Sequence, residues 1–178
     1  MIIQKMSFDI KNLTKSFSCG NLVLDNFIKS NNALDENQGI TYLLLSDDKN
    51  SLIGYYNISV GRVDNIQKIN GVEYYEPMGG AANINYLAIR REYQGQSQAP
   101  PGEPKIYLGD LLLNDCEKRI LKIRKSIGIS FITLHSTEEG HKLYERNDYY
   151  PFEDDMSTFI SERDLNCYKM YKCIDDLL

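Results

Sequence analysis

With 178 residues, 42% hydrophobic and 25% charged, the chain has the size and composition of one globular domain with a sizeable core, which excludes a disordered or fibrous polymer. No apolar run approaches the ~20 residues that cross a bilayer, and no basic stretch leads an apolar signal core, so the expected location is cytoplasmic. The formal charge of -5 argues against a surface that is basic throughout and leaves only a local basic face for nucleic acid.

In chain order, Leu13 to Asn32 reads as a helical entry, with Leu22, Leu24, Phe27 and Ile28 apolar and Asn and Ser closing it. Tyr42 to Leu45 and Leu52 to Val60 read as antiparallel strands joined by Ser46-Asp47-Asp48-Lys49-Asn50, residues that hydrogen-bond their own backbone and favour a hairpin turn. Gly71, Pro77, Gly79 and Gly80 break the next stretch, so Val63 to Ala82 is expected as a strand or hairpin followed by a loop. Asn83 to Ile89 alternates as a strand and stops at Arg90-Arg91-Glu92-Tyr93-Gln94-Gly95-Gln96; a helix opens at Leu108-Gly109-Asp110. Leu112, Cys116, Ile120, Ile123 and Ile127 then recur at helical spacing as far as Gly128, with Lys118, Arg119, Lys122, Arg124 and Lys125 between them. Ile129 to Leu134 is strand-like, Ser136-x-x-Glu139 has capping-box spacing for a helix through Arg146, and Tyr168 to Ile174 supplies a last strand. The order gives a mixed α/β fold without internal repeat or linker, one domain over residues 1–178.

A strand that feeds a glycine-containing turn and then a helix can bind phosphate, because the first helical N–H groups lack internal partners and the helix dipole favours an anion there. The two flanking segments sharpen this. Phe17-Ser18-Cys19-Gly20 and Leu24-Asp25-Asn26-Phe27-Ile28 precede it, and Leu143-Tyr144-Glu145-Arg146 follows. Together these elements resemble the GNAT superfamily of N-acetyltransferases, and within it the TacT-like toxins, which acetylate the amino group of aminoacyl-tRNA; the likeness spans Phe17 to Phe152. It implies a single GNAT-like domain with a mostly antiparallel central sheet flanked by helices, and direct transfer from acetyl-CoA to a primary amine. Where such proteins run from Gln-Gly-x straight into Gly-x-Gly, Ser97 to Ile106 intervenes here as a loop insertion at 97–106, and Tyr107 stands at the middle glycine's place.

The resemblance assigns the pantetheine arm of acetyl-CoA to the backbone of Leu87, Ala88 and Ile89, and the pyrophosphate to the amides of Gln94, Gly95, Gln96 and Gly109. Pro100, Pro101 and Pro104 cannot donate N–H groups, and Asp110 brings a carboxylate near an approaching phosphate. Tyr144 matches the tyrosine that protonates the leaving thiolate; a phenol near pKa ~10 can do so without a large driving force. His135 and His141 have no evident triad partner and read as structural, and the four scattered cysteines read as reduced structural thiols rather than a zinc or disulfide framework. An α-amino group of pKa about 7.7 to 8.0 is substantially neutral where lysine is not, which favours an aminoacyl or N-terminal amine. The basic helix residues suit the CoA ribose phosphate, a tRNA acceptor stem or a solvated face, while Arg90 and Arg91 sit beside the phosphate turn. Aminoacyl-tRNA as acceptor, an antitoxin protein and a homodimer are the partners this reading contemplates. Two alternatives stay open: an enzyme acting on a small amine, polyamine or protein N-terminus, and a non-catalytic GNAT-fold binding module with a degenerate phosphate turn.

Overall fold

The computed structural model describes residues 1–158 and 167–177. Among them lie strands β1 (Ile2–Lys5), β2 (Ile40–Leu45), β3 (Leu52–Ile69), β4 (Val72–Ile89), β5 (Phe131–Ser136), β6 (Tyr150–Pro151), β7 (Met156–Thr158) and β8 (Tyr168–Cys173), with helices α1 (Leu22–Lys29), α2 (Leu108–Arg124) and α3 (Glu138–Glu145). The sheet order is β1-β2-β3-β4-β5-β8-β6, with β7 on β3; β4 and β5 run parallel, and the other registered pairs are antiparallel. This is the mixed, mostly antiparallel α/β fold expected. The chain falls into two compact units, Met1–Ser59 with Asn85–Arg119, and Val60–Ile84 with Ile120–Leu178.

In the first unit the hairpin β2–β3 closes at 46–50 as its sequence requires: Asp48 accepts the Ser46 hydroxyl and the Asn50 N–H, and Lys49 takes a positive φ of 58°. The helical entry is shorter than its apolar spacing suggests. Gly20 turns the chain with φ 94°, and Asn21 caps α1 by accepting the Val23 and Leu24 N–H groups at 3.0 and 3.3 Å, while the residues on either side form 3₁₀ turns over Phe8–Thr14 and Asn31–Leu34. Phe17, Phe27, Ile28, Leu43, Leu45, Leu52, Tyr55 and Ala88 form this unit's core, with Tyr55 T-stacked on Phe17 at 5.5 Å and donating to the Leu24 carbonyl at 2.7 Å.

In the second unit β3 and β4 continue as one long hairpin instead of ending in a loop. Asn70 and Gly71 at φ 53° and 80° form its two-residue turn, the paired positive angles that match strand twist. Pro77 lies on the exposed part of β4, and Gly79 and Gly80 do not break the strand; they let another segment approach, since the Ser130 N–H donates to the Gly80 carbonyl at 2.8 Å. The parallel register of β4 with β5 runs from Ala81–Phe131 to Ile84–Leu134. α3 is capped by Thr137, which accepts the Gly140 N–H at 3.2 Å, one residue after the expected Ser136; Ser136 is buried as the last residue of β5. α2, which belongs to the first unit as far as Arg119, ends at Arg124 rather than Gly128. Its buried seam is Leu108, Leu112, Leu113, Cys116 and Ile120, while Ile123 and Ile127 are exposed.

Candidate functional site

Within the first unit, the end of β4 turns part of its backbone away from β3. The Arg90 N–H donates to the Ile53 carbonyl at 2.7 Å, which fixes which residues face β3. By strand alternation, Asn85, Leu87 and Ile89 direct their N–H and C=O groups to the opposite side, and the register with β5 has already stopped at Ile84. Ala88 and Ile89 are buried and Leu87 is half-buried; Ala88 turns its backbone to β3 and the Ile89 carbonyl accepts the Gln94 side chain, which leaves the backbone of Leu87 and the Ile89 N–H on the outward side. Gly54 on β3 permits the close packing here: a Cβ on it would lie 2.8 Å from the Ala88 carbonyl oxygen.

The strand ends in a braced turn. The Gln94 side chain donates to the carbonyls of Cys19 and Ile89, both at 2.8 Å, and the Gln96 side chain donates to the Glu92 carbonyl at 2.7 Å. The Arg91 N–H reaches the Ser18 carbonyl at 2.9 Å. On the other side of the brace, Asp25 is a buried carboxylate whose oxygens accept the Cys19 N–H at 2.7 Å and the Ser18 hydroxyl at 2.8 Å. Burial alone would raise its pKa, but these hydrogen bonds outweigh it and hold the carboxyl below its ordinary value. Ser18-Cys19 and Asp25, read in the sequence only as part of a resemblance, are thus a latch that ties the start of α1 to the turn after β4.

The inserted segment leaves this turn intact. Ser97 and Tyr107 pair across its neck, the Gln98 N–H donates to the Ile106 carbonyl at 2.7 Å, and the Ser97 hydroxyl oxygen accepts the Ala99 and Ile106 N–H groups, both at 3.2 Å. Residues 97–106 are exposed apart from half-buried Ala99. Gln96 is therefore delivered beside the first turn of α2, where the Asp110 and Leu111 N–H groups turn back on the Tyr107 carbonyl. The Gln94 N–H is held by the Arg91 carbonyl at 3.3 Å, whereas the N–H groups of Gly95, Gln96 and Gly109 have no protein acceptor among the described residues. Gly95, at φ 69°, has nothing within 4 Å of the place a Cβ would occupy, so its backbone is open to approach. Open amides and a helix start suit a diphosphate, and the outward backbone of Leu87 suits an extended amide arm, so the residues present fit acetyl-CoA; the half-buried Asp110 carboxylate opposes the anion.

The cationic residues divide. Arg90 donates to the Ser16 carbonyl at 3.3 Å and hydroxyl at 3.1 Å, and Arg91 is exposed. On α2, Arg119 binds Asp115 at 2.8 Å and lies 4.2 Å over the Tyr42 ring, and Arg124 pairs with Asp175 at 2.6 Å; Lys118, Lys122 and Lys125 are exposed. Two of the five basic residues of this face, Arg119 and Arg124, are thus tied into ion pairs.

Tyr144 lies in the second unit, near the end of α3 and 6% exposed, with its ring T-stacked on Tyr149 at 5.6 Å. Its carbonyl accepts the Asn147 and Tyr149 N–H groups at 3.0 and 3.1 Å. Lys172, buried on β8, donates to the Asn147 carbonyl at 2.9 Å and lies 5.4 Å over the Tyr149 ring. Sequence reading missed this support, although a lysine between inward-facing Met170 and Ile174 was its signal. His141 pairs with Glu145 at 3.3 Å and packs on Tyr168, and His135 sits in β5 opposite Lys169. Burial pushes the Cys19 thiol up to about 11 and the Cys116 thiol well above its ordinary value, so neither is a ready nucleophile. Among the described residues no group of His, Cys, Asp and Glu could hold a metal ion, and no helix is long and apolar enough to cross a membrane.

No protein-family model and no curated protein matches the sequence. Solved structures match the fold. A Tyr-to-Phe variant of the AtaT toxin aligns with a TM-score of 0.73 over 99% of this chain and 91% of its own, at 17% identity. A Tyr-to-Phe variant of KacT gives 0.71 over 99% and 96%, at 18% identity. The AtaT variant bound to the C-terminus of the antitoxin AtaR and to acetyl-CoA gives 0.64 over 99% and 94%, at 15% identity. The chain is similar to these proteins in fold.

Proposed function

We propose that this protein is an acetyl-CoA-dependent N-acetyltransferase of the toxin type, moving an acetyl group directly to a primary amine. The observation that carries the reading is the closed neck at Ser97–Tyr107, which keeps the open amides of Gly95 and Gln96 beside the first turn of α2 despite the insertion. Similarity of fold to an acetyl-CoA-bound toxin supports it. When bound, acetyl-CoA supplies the activated acetyl thioester. The segment Leu87-Ala88-Ile89 holds the pantetheine arm through the groups it turns outward, those of Leu87 and the Ile89 N–H, with Ala88 turned to β3, and Gly95, Gln96 and Gly109, with Gln94 as brace, hold the pyrophosphate. Tyr144 is the proton donor to the departing sulfur, an assignment resting on the Leu143-Tyr144-Glu145-Arg146 pattern. The amine of an aminoacyl-tRNA is the acceptor and an antitoxin protein the partner, supported by the antitoxin complex of AtaT. The whole of the chain serves this one activity in one domain, in the cytoplasm.

Calorimetric titration with acetyl-CoA tests the donor site, and absence of binding would select a non-catalytic binding module instead. Tyr144→Phe is expected to slow transfer about 100-fold to 10,000-fold in single turnover with acetyl-CoA affinity unchanged, the range of general-acid contributions. Near-parental turnover would remove Tyr144 from the mechanism and turn attention to Tyr149 and Tyr150.

A further inference from the structure

A cavity of about 270 Å³ opens within the first unit, lined by Phe27, Asn37, Gln38, Ser59, Asn85 and Tyr86. Its floor is a carboxamide held in one orientation: Asn85 Oδ1 accepts the Ser59 hydroxyl at 3.1 Å, and Asn85 Nδ2 donates to Asn57 Oδ1 at 2.7 Å and to the Gln38 carbonyl at 3.5 Å. Asn57 is fully buried and in turn donates to Thr41 Oγ1 at 3.0 Å. Gly39 lets the 35–39 loop close on this group. Its φ is 102°, and a Cβ there would lie 2.6 Å from Asn57 Oδ1 and 3.1 Å from Asn85 Nδ2. Phe27 and Tyr86 supply the apolar lining, their rings stacked with centroids 3.8 Å apart at 21°.

Hydroxyl, carboxamide and aromatic groups make up the lining, and no charged side chain contributes to it. A charge brought here would lose hydration without gaining a counter-charge, whereas an amide or aromatic group would find both hydrogen-bonding and flat apolar surface. The volume falls below the roughly 300–1,000 Å³ of pockets that hold whole ligands, so the cavity suits one side-chain-sized group. Asn85 and Tyr86 immediately precede Leu87 on β4, so an occupant lies one residue along the strand from the backbone assigned to the acyl donor. We infer that this cavity receives an uncharged amide or aromatic side chain carried by the acceptor beside its reactive amine, which rests on the acetyl-transfer reading and narrows it to acceptors without charge at that position.

The test is an NMR titration of ¹⁵N-labelled protein with glutaminamide, phenylalaninamide, lysinamide and the α-amide of glutamic acid, following the Asn85 side-chain NH₂ and the Gly39 amide. The two uncharged probes should shift both signals and bind at least tenfold tighter than the two charged ones. Asn37→Asp, at an exposed rim position, should raise lysinamide affinity relative to glutaminamide at least tenfold. Equal affinity for all four probes, shifts confined to other residues, or an unchanged ratio in Asn37→Asp would overturn the inference. Acetyl-CoA calorimetry on the same samples separates the two ideas. Probe binding at Asn85 without acetyl-CoA binding sinks the acetyl-transfer reading, and acetyl-CoA binding with a silent Asn85 sinks the cavity assignment.

Discussion

Removing the Asp25 carboxylate puts a magnitude on the latch between α1 and the turn after β4. Two hydrogen bonds end on this buried group, from the Cys19 N–H at 2.7 Å and the Ser18 hydroxyl at 2.8 Å. Hydrogen bonds to charged groups contribute about 1.5–3 kcal/mol each, and relief of the buried charge offsets part of their loss, so Asp25→Ala should cost about 3 kcal/mol. Against a total stability of about 5–15 kcal/mol that is a large change, equivalent to a fall in Tm of about 6–12 °C for a chain of this size. The pH dependence is a second signature. Because the folded carboxyl titrates below its ordinary value, its stabilisation is present above the unfolded pKa near ~3.9 and is lost as pH falls through the folded pKa. Urea unfolding should therefore show the full gap between parent and Asp25→Ala at pH 7 and a narrowing gap below about pH 4. Asp25→Asn, which keeps an acceptor but no charge, should fall between them. A gap under about 0.5 kcal/mol, the size of ordinary surface changes, or one that does not vary with pH would refute the latch.

Gly80→Ala should destabilise by about 1–3 kcal/mol in urea unfolding, because the added Cβ would sit 2.3 Å from the Gly128 carbonyl oxygen, a backbone atom that cannot swing aside. A neutral outcome would mean that the 128–130 segment moves freely. Replacing residues 99–105 with a short Gly linker should leave cooperative unfolding and acetyl-CoA binding near the parental values, since the neck made by Ser97, Ile106 and Tyr107 is retained. Loss of either property would show that the tip of the loop packs or binds.

Legibility in the sequence followed the reach of the interactions. The β2–β3 turn, the strand to Ile89 and the start of α2 could be read because short-range hydrogen bonding and periodicity specify them. The β3–β4 hairpin was cut short because Gly79 and Gly80 look like breakers until the segment that crowds them is known. β1, β6 and β7 were invisible: strands of four, two and three residues carry too little pattern and exist through their pairing with β2, β8 and β3. At the candidate site, the glycine turn could be found from its residue types, whereas Gln94 and Lys172 owe their roles to long-range contacts. The Asn85 floor was hidden for the same reason, as its partners Asn57 and Ser59 come from another strand.

The burial that raises the Cys19 and Cys116 thiols also makes them internal clocks. A thiol reacts as its thiolate, so an alkylating reagent applied near neutral pH meets almost none at these positions while the first unit stays shut. Cys173, raised by burial and by the Asp176 and Asp175 carboxylates, lies in the second unit. Half-buried Cys173 reacts without such an opening and serves as the reference, so the first unit carries its own native reporters, and mass spectrometry of pulse-alkylated chains can time its opening without any introduced label.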